Sequence, residues 1–174
     1  MTNAGDDAVT AGAIGFPFSF YGTNYTMFFA DTNANIVLTA VGSSSFSNAC
    51  ALASARSLLI APMWDDMNLN RAGATGVHRI CTVATGTAPS RDWVVTWEEV
   101  PYFSAAIPVT QPATFSAVMH ETDSSIDFQW LTNCFRGSAT IGVVGTGATQ
   151  VTQVGTCNTA QTLDGNQVRL TYTP

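Results

Sequence analysis

The stretch DWVVTWEEV, residues 92–100, decides the fold because its large apolar side chains recur at every second position. Trp93, Val95 and Trp97 share one face of an extended chain, while the residues between them point to the other face. A period of two indicates a half-buried β-strand, whereas an amphipathic helix repeats every three to four residues. This stretch therefore predicts a strand whose two tryptophans lie in a hydrophobic core.

Strands of this kind recur along the whole chain. Residues 57–63 form a nearly continuous apolar run that suits a strand buried on both faces. Residues 49–59, rich in Ala and Leu, allow at most one short helical turn. About ten short strands separated by turn residues predict an all-β fold, an antiparallel β-sandwich or jelly roll. The expected strands are residues 16–21, 25–29, 35–39, 57–63, 77–83, 92–100, 113–120, 126–131, 139–144, 150–154 and 167–173.

Composition narrows the range of partners. The chain has 174 residues, a net charge of −6 and only 10% charged residues, and its six basic residues are all Arg. Nucleic-acid binding is not expected because phosphate contacts need clustered basic side chains, and these are scattered singly. Anionic membrane surfaces are disfavoured for the same reason, and no apolar run approaches the length of a membrane helix.

The length suits one domain of ordinary size. We expect a flexible segment over residues 1–13 and a single β-sandwich domain over residues 14–174. The chain begins with a polar, acidic stretch in place of a signal peptide. For a secreted protein, we therefore expect the targeting segment to be absent from this sequence.

Four cysteines, Cys50, Cys81, Cys134 and Cys157, contain no C-x-x-C pair and make no metal-ligand spacing with either histidine. In a chain without Lys they point to an oxidising compartment and two disulfides. We predict bonds Cys50–Cys81 and Cys134–Cys157, because consecutive elements usually lie side by side. One alternative pairs Cys50 with Cys157 and Cys81 with Cys134. Another keeps four buried free thiols in a cytosolic protein.

Six sequence blocks occur in an order that is typical of a known module. They are IGFPFSFYG from Ile14, APMWDD from Ala61, WVVTWEEVPY from Trp93, TFSAV from Thr114, SIDFQ from Ser125 and ATIGV from Ala139. In this order the chain resembles a secreted bacterial β-sandwich domain of the IGFPFxFYG…APxWDD type. More distantly, it resembles the nidogen-like domain of extracellular matrix and adhesion proteins.

The resemblance implies an extracellular, largely β module that is appended to larger proteins, is linked to adhesion or attachment and has no settled catalytic role. Two departures limit what it implies. Asn-Ala-Asn at residues 33–35 stands where related domains often have an aromatic Asn-Gly turn. The four cysteines are not a feature of the whole group, so no disulfide pairing follows from the resemblance.

The densest cluster of oxygen ligands is Asp65, Asp66, Asn68 and Asn70. These side chains could supply part of a calcium site, since Ca²⁺ takes six to eight oxygens, although their spacing is not that of an EF-hand. In the alternative interpretation, they cap backbone N–H groups and shape the loop after a buried strand. We expect no required cofactor, with calcium as the one candidate ion. Residues 6–7 could add ligands, but a flexible terminus is their expected role.

No catalytic residues are predicted. The sequence has neither a Gly-x-Ser-x-Gly motif nor a cysteine beside a histidine. Glu98 and Glu99 are adjacent in a strand and point to opposite faces, so they cannot be the carboxylate pair of a glycosidase. We therefore expect the chain not to be an enzyme.

Exposed aromatic side chains are the expected ligand contacts, because sugar rings stack on them without needing charge. Tyr102 and Phe103 follow Pro101 at the start of a loop, and Tyr25 lies in the early hairpin. The alternative interpretation is that these rings pack within the loops or the core.

These observations predict an extracellular or cell-surface, non-catalytic binding or adhesion module for a glycan or a surface protein. One alternative is a self-assembling subunit of a cell-surface filament or coat, since low charge suits large contacts between copies of the chain. A third is an accessory domain of a secreted hydrolase. Neither nucleic-acid binding nor membrane insertion is expected.

Overall fold

A computed structural model describes residues 5–147 and 149–172, and the sandwich predicted from the sequence is confirmed. The described residues form eleven strands and one 3₁₀ turn, Leu52–Ser54. The strands are β1 (Val9–Phe20), β2 (Thr23–Asp31), β3 (Ile36–Val37), β4 (Leu59–Trp64), β5 (Arg79–Thr87), β6 (Ser90–Val100), β7 (Ala113–His120), β8 (Ile126–Thr132), β9 (Thr140–Val144), β10 (Val151–Gln153) and β11 (Gln167–Leu170). Within this part of the chain, no helix is long and apolar enough to cross a membrane.

The strands form two sheets. One has six strands in the order β1-β2-β3-β4-β9-β10, and the other has five in the order β11-β8-β7-β6-β5. Every pairing between neighbours is antiparallel. The apolar faces of the two sheets pack against each other and form the main core.

The tryptophans link the two sheets across this core. The Trp97 ring stacks on Phe115 of the same sheet, and its indole N–H donates to the backbone oxygen of Asp31 in the opposite sheet at 2.9 Å. Trp130 donates in the same way to the backbone oxygen of Pro62 at 3.0 Å. A buried indole N–H needs a partner, so each of these bonds also fixes the position of one sheet relative to the other. The prediction that these rings lie in the core is confirmed.

β4 is buried on both faces, as its continuous apolar run predicts. Ile60 and Met63 belong to the main core, whereas Leu59, Ala61 and Trp64 belong to a smaller cluster. The smaller cluster also includes Leu52, and the indole N–H of Trp64 donates to the backbone oxygen of Ser45 at 2.7 Å. Residues 39–58, which we name the covering segment, therefore lie over the outer face of the six-stranded sheet.

The predicted disulfides are wrong. The structure has a Cys50–Cys157 bond, with 5.1 Å between the two Cα atoms, while Cys81 and Cys134 are free thiols. Cys50 lies in the covering segment on the outside of the six-stranded sheet. Cys81 is in register with Thr96 on the outer face of the five-stranded sheet, so both sheets separate it from Cys50. Of the alternative pairing, only the Cys50–Cys157 bond is found.

The expected boundary between the flexible segment and the domain, at residue 14, lies inside β1. β1 begins at Val9, which is in register with Asp31 of β2, and the pairing continues to Ala13. Just before the strand, the backbone N–H of Thr32 donates to the backbone oxygen of Ala8 at 3.0 Å. The small, weakly patterned side chains of this stretch gave no strand signal, but its backbone is paired. Residues 1–4 and 173–174 of the expected segments lie outside the described residues, and the single domain over residues 14–174 stays a prediction.

Replacing both Cys50 and Cys157 by Ser should strongly destabilise the fold. The bond closes a sequence separation of 107 residues. In the chain-entropy model, a loop of about 100 residues corresponds to about 4–5 kcal/mol. Urea unfolding under non-reducing conditions measures the loss.

Cys81→Ser is the matched control, because it changes a half-buried thiol that is not in a disulfide, and it should leave the urea midpoint nearly unchanged. Non-reducing peptide mapping should recover one peptide that joins Cys50 to Cys157. A peptide that joins Cys134 to Cys157, or equal midpoints for the oxidised and reduced protein, would show this assignment to be wrong.

Candidate ligand-binding site

One end of the sandwich carries the connections that follow β2, β4, β6 and β8, together with the residues that precede β1. The strand registers place them together, since Val9 is opposite Asp31, Trp64 is opposite Thr140 and Val100 is opposite Ala113. We name this region the loop end. It comprises residues 5–8, 32–35, 65–78, 101–112 and 133–139.

The buried side chain of Asn33 joins two other segments of the loop end and the covering segment. Its Nδ2 donates to Oδ1 of Asp7 at 2.6 Å and to Oγ of Ser44 in the covering segment at 3.0 Å. Its Oδ1 accepts from the backbone N–H of Met67 at 2.8 Å. The sequence marks Asn33 only as part of an unusual turn. Its hydrogen bonds depend on contacts between residues that are far apart in the chain.

Asp31 anchors the covering segment from the same turn. Nη2 of Arg56 donates to its carboxylate at 2.9 Å, and the backbone N–H of Asn35 donates to it at 3.0 Å. Burial raises the pKa of Asp31 to about 6, although Arg56 and Asn35 oppose this shift. Arg56 also donates to the backbone oxygen of Ser43, so this one guanidinium group fixes the covering segment against the turn.

The loop after β4 pairs with the start of the loop after β6. The backbone N–H of Phe103 donates to the oxygen of Asp66 at 2.9 Å, and Met67 and Tyr102 form an isolated β-bridge. Arg71 braces the second loop by donating to the backbone oxygens of Tyr102 and Ile107 at 2.7 and 2.9 Å. These contacts place Phe103 beside Asp66.

Three carboxylates and two phenyl rings line one pocket at this place. Its volume is about 170 Å³, and its lining residues are Asp6, Asp7, Phe46, Asp66 and Phe103. We name it the acidic pocket. The two rings lie on its exposed side, with 55% of Phe46 and 52% of Phe103 accessible to solvent. Phe46 comes from the covering segment, so the pocket is built from four separate parts of the chain.

The charges of the acidic pocket repel one another. Burial raises the pKa of Asp66 to about 6, and the negative charges of Asp6, Asp7 and Asp65 act in the same direction. The pKa of Asp6 is also raised, first by burial and then by Asp7. A cation in this pocket would relieve the repulsion.

The residues expected to bind calcium do not converge. The carboxylate of Asp65 accepts from the hydroxyl of Ser138 at 2.7 Å and from the backbone N–H of Asp66 at 2.9 Å. Oδ1 of Asn68 accepts from the backbone N–H of Asn70 at 2.7 Å, as the turn-shaping interpretation describes. Of these residues, only Asp66 lines the acidic pocket. Among residues 5–147 and 149–172, no group of three or more His, Cys, Asp or Glu could hold a metal ion, and calcium binding stays a prediction.

The expected aromatic contacts lie in different places. The prediction that the ring of Tyr102 is exposed is wrong, because only 1% of the residue is accessible to solvent. The bridge to Met67 directs its side chain inward, where its hydroxyl donates to the backbone oxygen of Asn133 and accepts from the N–H of Phe135. Tyr25 is half-buried near the start of β2, away from the loop end, and packs against the main core.

Phe46 and the acidic residues 6–7 are the members of the pocket that sequence reasoning missed or set aside. Phe46 lies in a Ser-rich stretch without periodicity, and residues 6–7 were expected to be a flexible terminus. A Phe amid polar residues is the only sequence signal for Phe46.

Comparison with known families gives a match over nearly the whole chain. A family model described as NIDO related matches residues 1–172. Comparison with curated proteins and with solved structures gives no match.

Replacing Asn33 by Ala should destabilise the fold by about 1–3 kcal/mol, because a buried N–H of Met67 then lacks its acceptor and the contacts to Asp7 and Ser44 are lost. Urea unfolding measures this loss. Hydrogen exchange should show faster exchange in residues 5–8 and 65–70. Asn68→Ala is the matched control, since the side chain of Asn68 accepts a local turn hydrogen bond from the backbone N–H of Asn70. Equal losses in the two variants would contradict the linking role of Asn33.

Replacing Asp66 by Asn should increase stability at pH 7. The pKa of Asp66 is raised from 3.8 to about 6, so the folded state binds its proton more tightly than the unfolded state does. Binding of this proton stabilises the folded state at low pH, and this stabilisation is lost as the pH rises through about 6. Because Asp66 is only partly buried, solvent screening limits the gain to less than about 1 kcal/mol. Urea unfolding across this pH range measures it.

Asp127→Asn is the control of opposite sign. The hydrogen bond from Arg169 holds the pKa of Asp127 below its ordinary value, so removing this carboxylate should lower stability at neutral pH. If both variants lose stability at pH 7, the repulsion assigned to the acidic pocket is wrong.

Proposed function

The chain belongs to the NIDO-related family, and we propose that it is an extracellular, non-catalytic binding module that recognises a surface protein through a basic side chain. The family and the disulfide suggest an extracellular module of the binding type. The family and the all-β fold are typical of non-catalytic modules. The proposal adds a site and a class of ligand to this description.

The observation that carries the proposal is the composition of the acidic pocket. Asp6, Asp7 and Asp66 offer carboxylates to an ammonium or guanidinium group. Phe46 and Phe103 offer exposed ring faces, which attract cations and also pack on the aliphatic part of a Lys or Arg side chain. One pocket can therefore contact both the charged group and the aliphatic part of a basic side chain.

The size of the pocket supports a single side chain as its occupant. At about 170 Å³ it is smaller than the roughly 300–1,000 Å³ of a typical small-molecule site. Arg is also among the residues that contribute most to protein–protein interfaces when it enters a pocket. A partner protein that inserts one Lys or Arg would leave the rest of its surface to contact the loop end.

The charge and the construction of the site favour the same class of partner. A chain with a net charge of −6 and no Lys attracts a basic surface over distance, which raises the association rate. The pocket residues come from separate segments, and Asn33 and Arg71 fix those segments by hydrogen bonds. A site held in this way loses little conformational entropy when its partner binds.

Immobilised tetraarginine or tetralysine should bind the protein, whereas tetraglutamate should not. Asp66→Asn removes a carboxylate from the pocket and Phe103→Ala removes a ring face. Each variant should weaken binding about fivefold to tenfold at low ionic strength. Binding should also weaken as the pH falls below about 6, because Asp66 then becomes protonated. Biolayer interferometry measures these differences.

Glu99→Gln removes one negative charge near the end of β6, outside the acidic pocket, and Val83→Ala shortens an exposed apolar side chain on β5, so both should leave binding unchanged. Equal binding to tetraglutamate, or an equal loss in Glu99→Gln, would contradict the proposal. Sedimentation that shows reversible self-assembly without peptide binding would instead favour a structural subunit.

A further inference from the structure

A second pocket of about 320 Å³ lies on the loop end, beside the connection from β6 to β7. Hydroxyl groups dominate its lining. We name it the threonine pocket, and its lining residues are Thr75, Glu99, Val109, Thr110, Pro112, Thr114, Thr132 and Asn133. None of these residues lines the acidic pocket, so the two pockets are separate sites.

Several of its polar groups are free to contact a ligand. In the described part of the chain, no hydrogen bond involves the hydroxyls of Thr75, Thr110 and Thr132 or the carboxylate of Glu99. All four residues are exposed. The pocket thus presents three hydroxyls, each able to donate and to accept, next to one carboxylate that accepts only.

The backbone holds this lining in an unusual conformation. Glu99 and Asn133 have φ values of 51° and 53°, in the left-handed region that non-glycine residues rarely adopt. Glu99 lies where the pairing of β6 with β7 shifts register, and its backbone N–H donates to the hydroxyl of Thr114. Asn133 donates from Nδ2 to the backbone oxygen of Pro112 at 3.1 Å. Such backbone conformations are concentrated at functional sites.

We infer that the threonine pocket binds a single neutral sugar ring. The hydroxyls of a sugar both donate and accept, so they match the threonine hydroxyls, and two neighbouring sugar hydroxyls can donate to Glu99. Val109 and Pro112 give the C–H face of the ring an apolar surface. The pocket has no basic lining residue to bind an anion. Its volume is at the lower end of the range for small-molecule sites, which suits one ring.

This inference does not depend on the proposed protein partner, and the variants separate the two. Saturation-transfer NMR with glucose, galactose, mannose and N-acetylglucosamine at millimolar concentration should detect at least one of these sugars. Thr110→Val and Thr132→Val keep the side-chain shape and remove one hydroxyl, so each should weaken that binding about fivefold. Glucuronic acid should bind more weakly than glucose, because Glu99 repels its carboxylate.

Thr85→Val is the matched control, since Thr85 is exposed on β5 outside both pockets, and it should leave sugar binding unchanged. Asp66→Asn and Phe103→Ala should also leave it unchanged. The inference is overturned if none of the four neutral sugars binds, or if glucosamine binds but glucose does not. It is also overturned if the acidic-pocket variants weaken sugar binding as much as Thr110→Val does. Loss of tetraarginine binding alone contradicts only the proposed function.

Discussion

The buried polar turn at residues 31–35 is the constraint on which the loop end depends. Asp31, Thr32, Asn33 and Asn35 are each at most 2% exposed, yet all are polar. A buried polar group without a partner costs about 1–3 kcal/mol, so the surrounding chain has to supply partners for this turn. Arg56, the residues before β1, the loop after β4 and the indole N–H of Trp97 supply these partners, although Oδ1 of Asn35 has none among the described residues.

The covering segment follows from this constraint and from the burial of β4. Leu59, Ala61 and Trp64 present an apolar outer face, which would be exposed if the chain did not return over it. The apolar residues of the segment are mostly small, and Leu52 is its one fully buried residue. The segment is therefore held largely by polar and covalent links, namely Arg56 to Asp31, Ser44 to Asn33 and the Cys50–Cys157 bond. Phe46 is placed at the acidic pocket as a consequence.

The strands could be predicted from the sequence because their signal is local, whereas the site depends on contacts that are distant in the chain. The alternation in residues 92–100 and the apolar run before Trp64 correctly predicted β6 and β4. The disulfide could not be predicted, because a rule about consecutive elements takes no account of a segment that crosses the outside of a sheet. Tyr102 was expected to be exposed because its sequence neighbours are loop residues. An isolated bridge to Met67, invisible in the sequence, directs it inward.

The acidic pocket is a feature that folding alone disfavours. Burial, and then the repulsion from neighbouring carboxylates, raises the pKa of Asp66, and the two phenyl rings of the pocket remain largely exposed to water. Replacing either kind of side chain by a small neutral one would remove these costs without disturbing the main core, which contains none of the pocket residues. Local features that oppose stability in an otherwise consistent fold are expected at functional sites. The same reasoning applies to the left-handed backbone of Glu99 and Asn133 in the threonine pocket, so both pockets lie where the chain departs from what its stability requires.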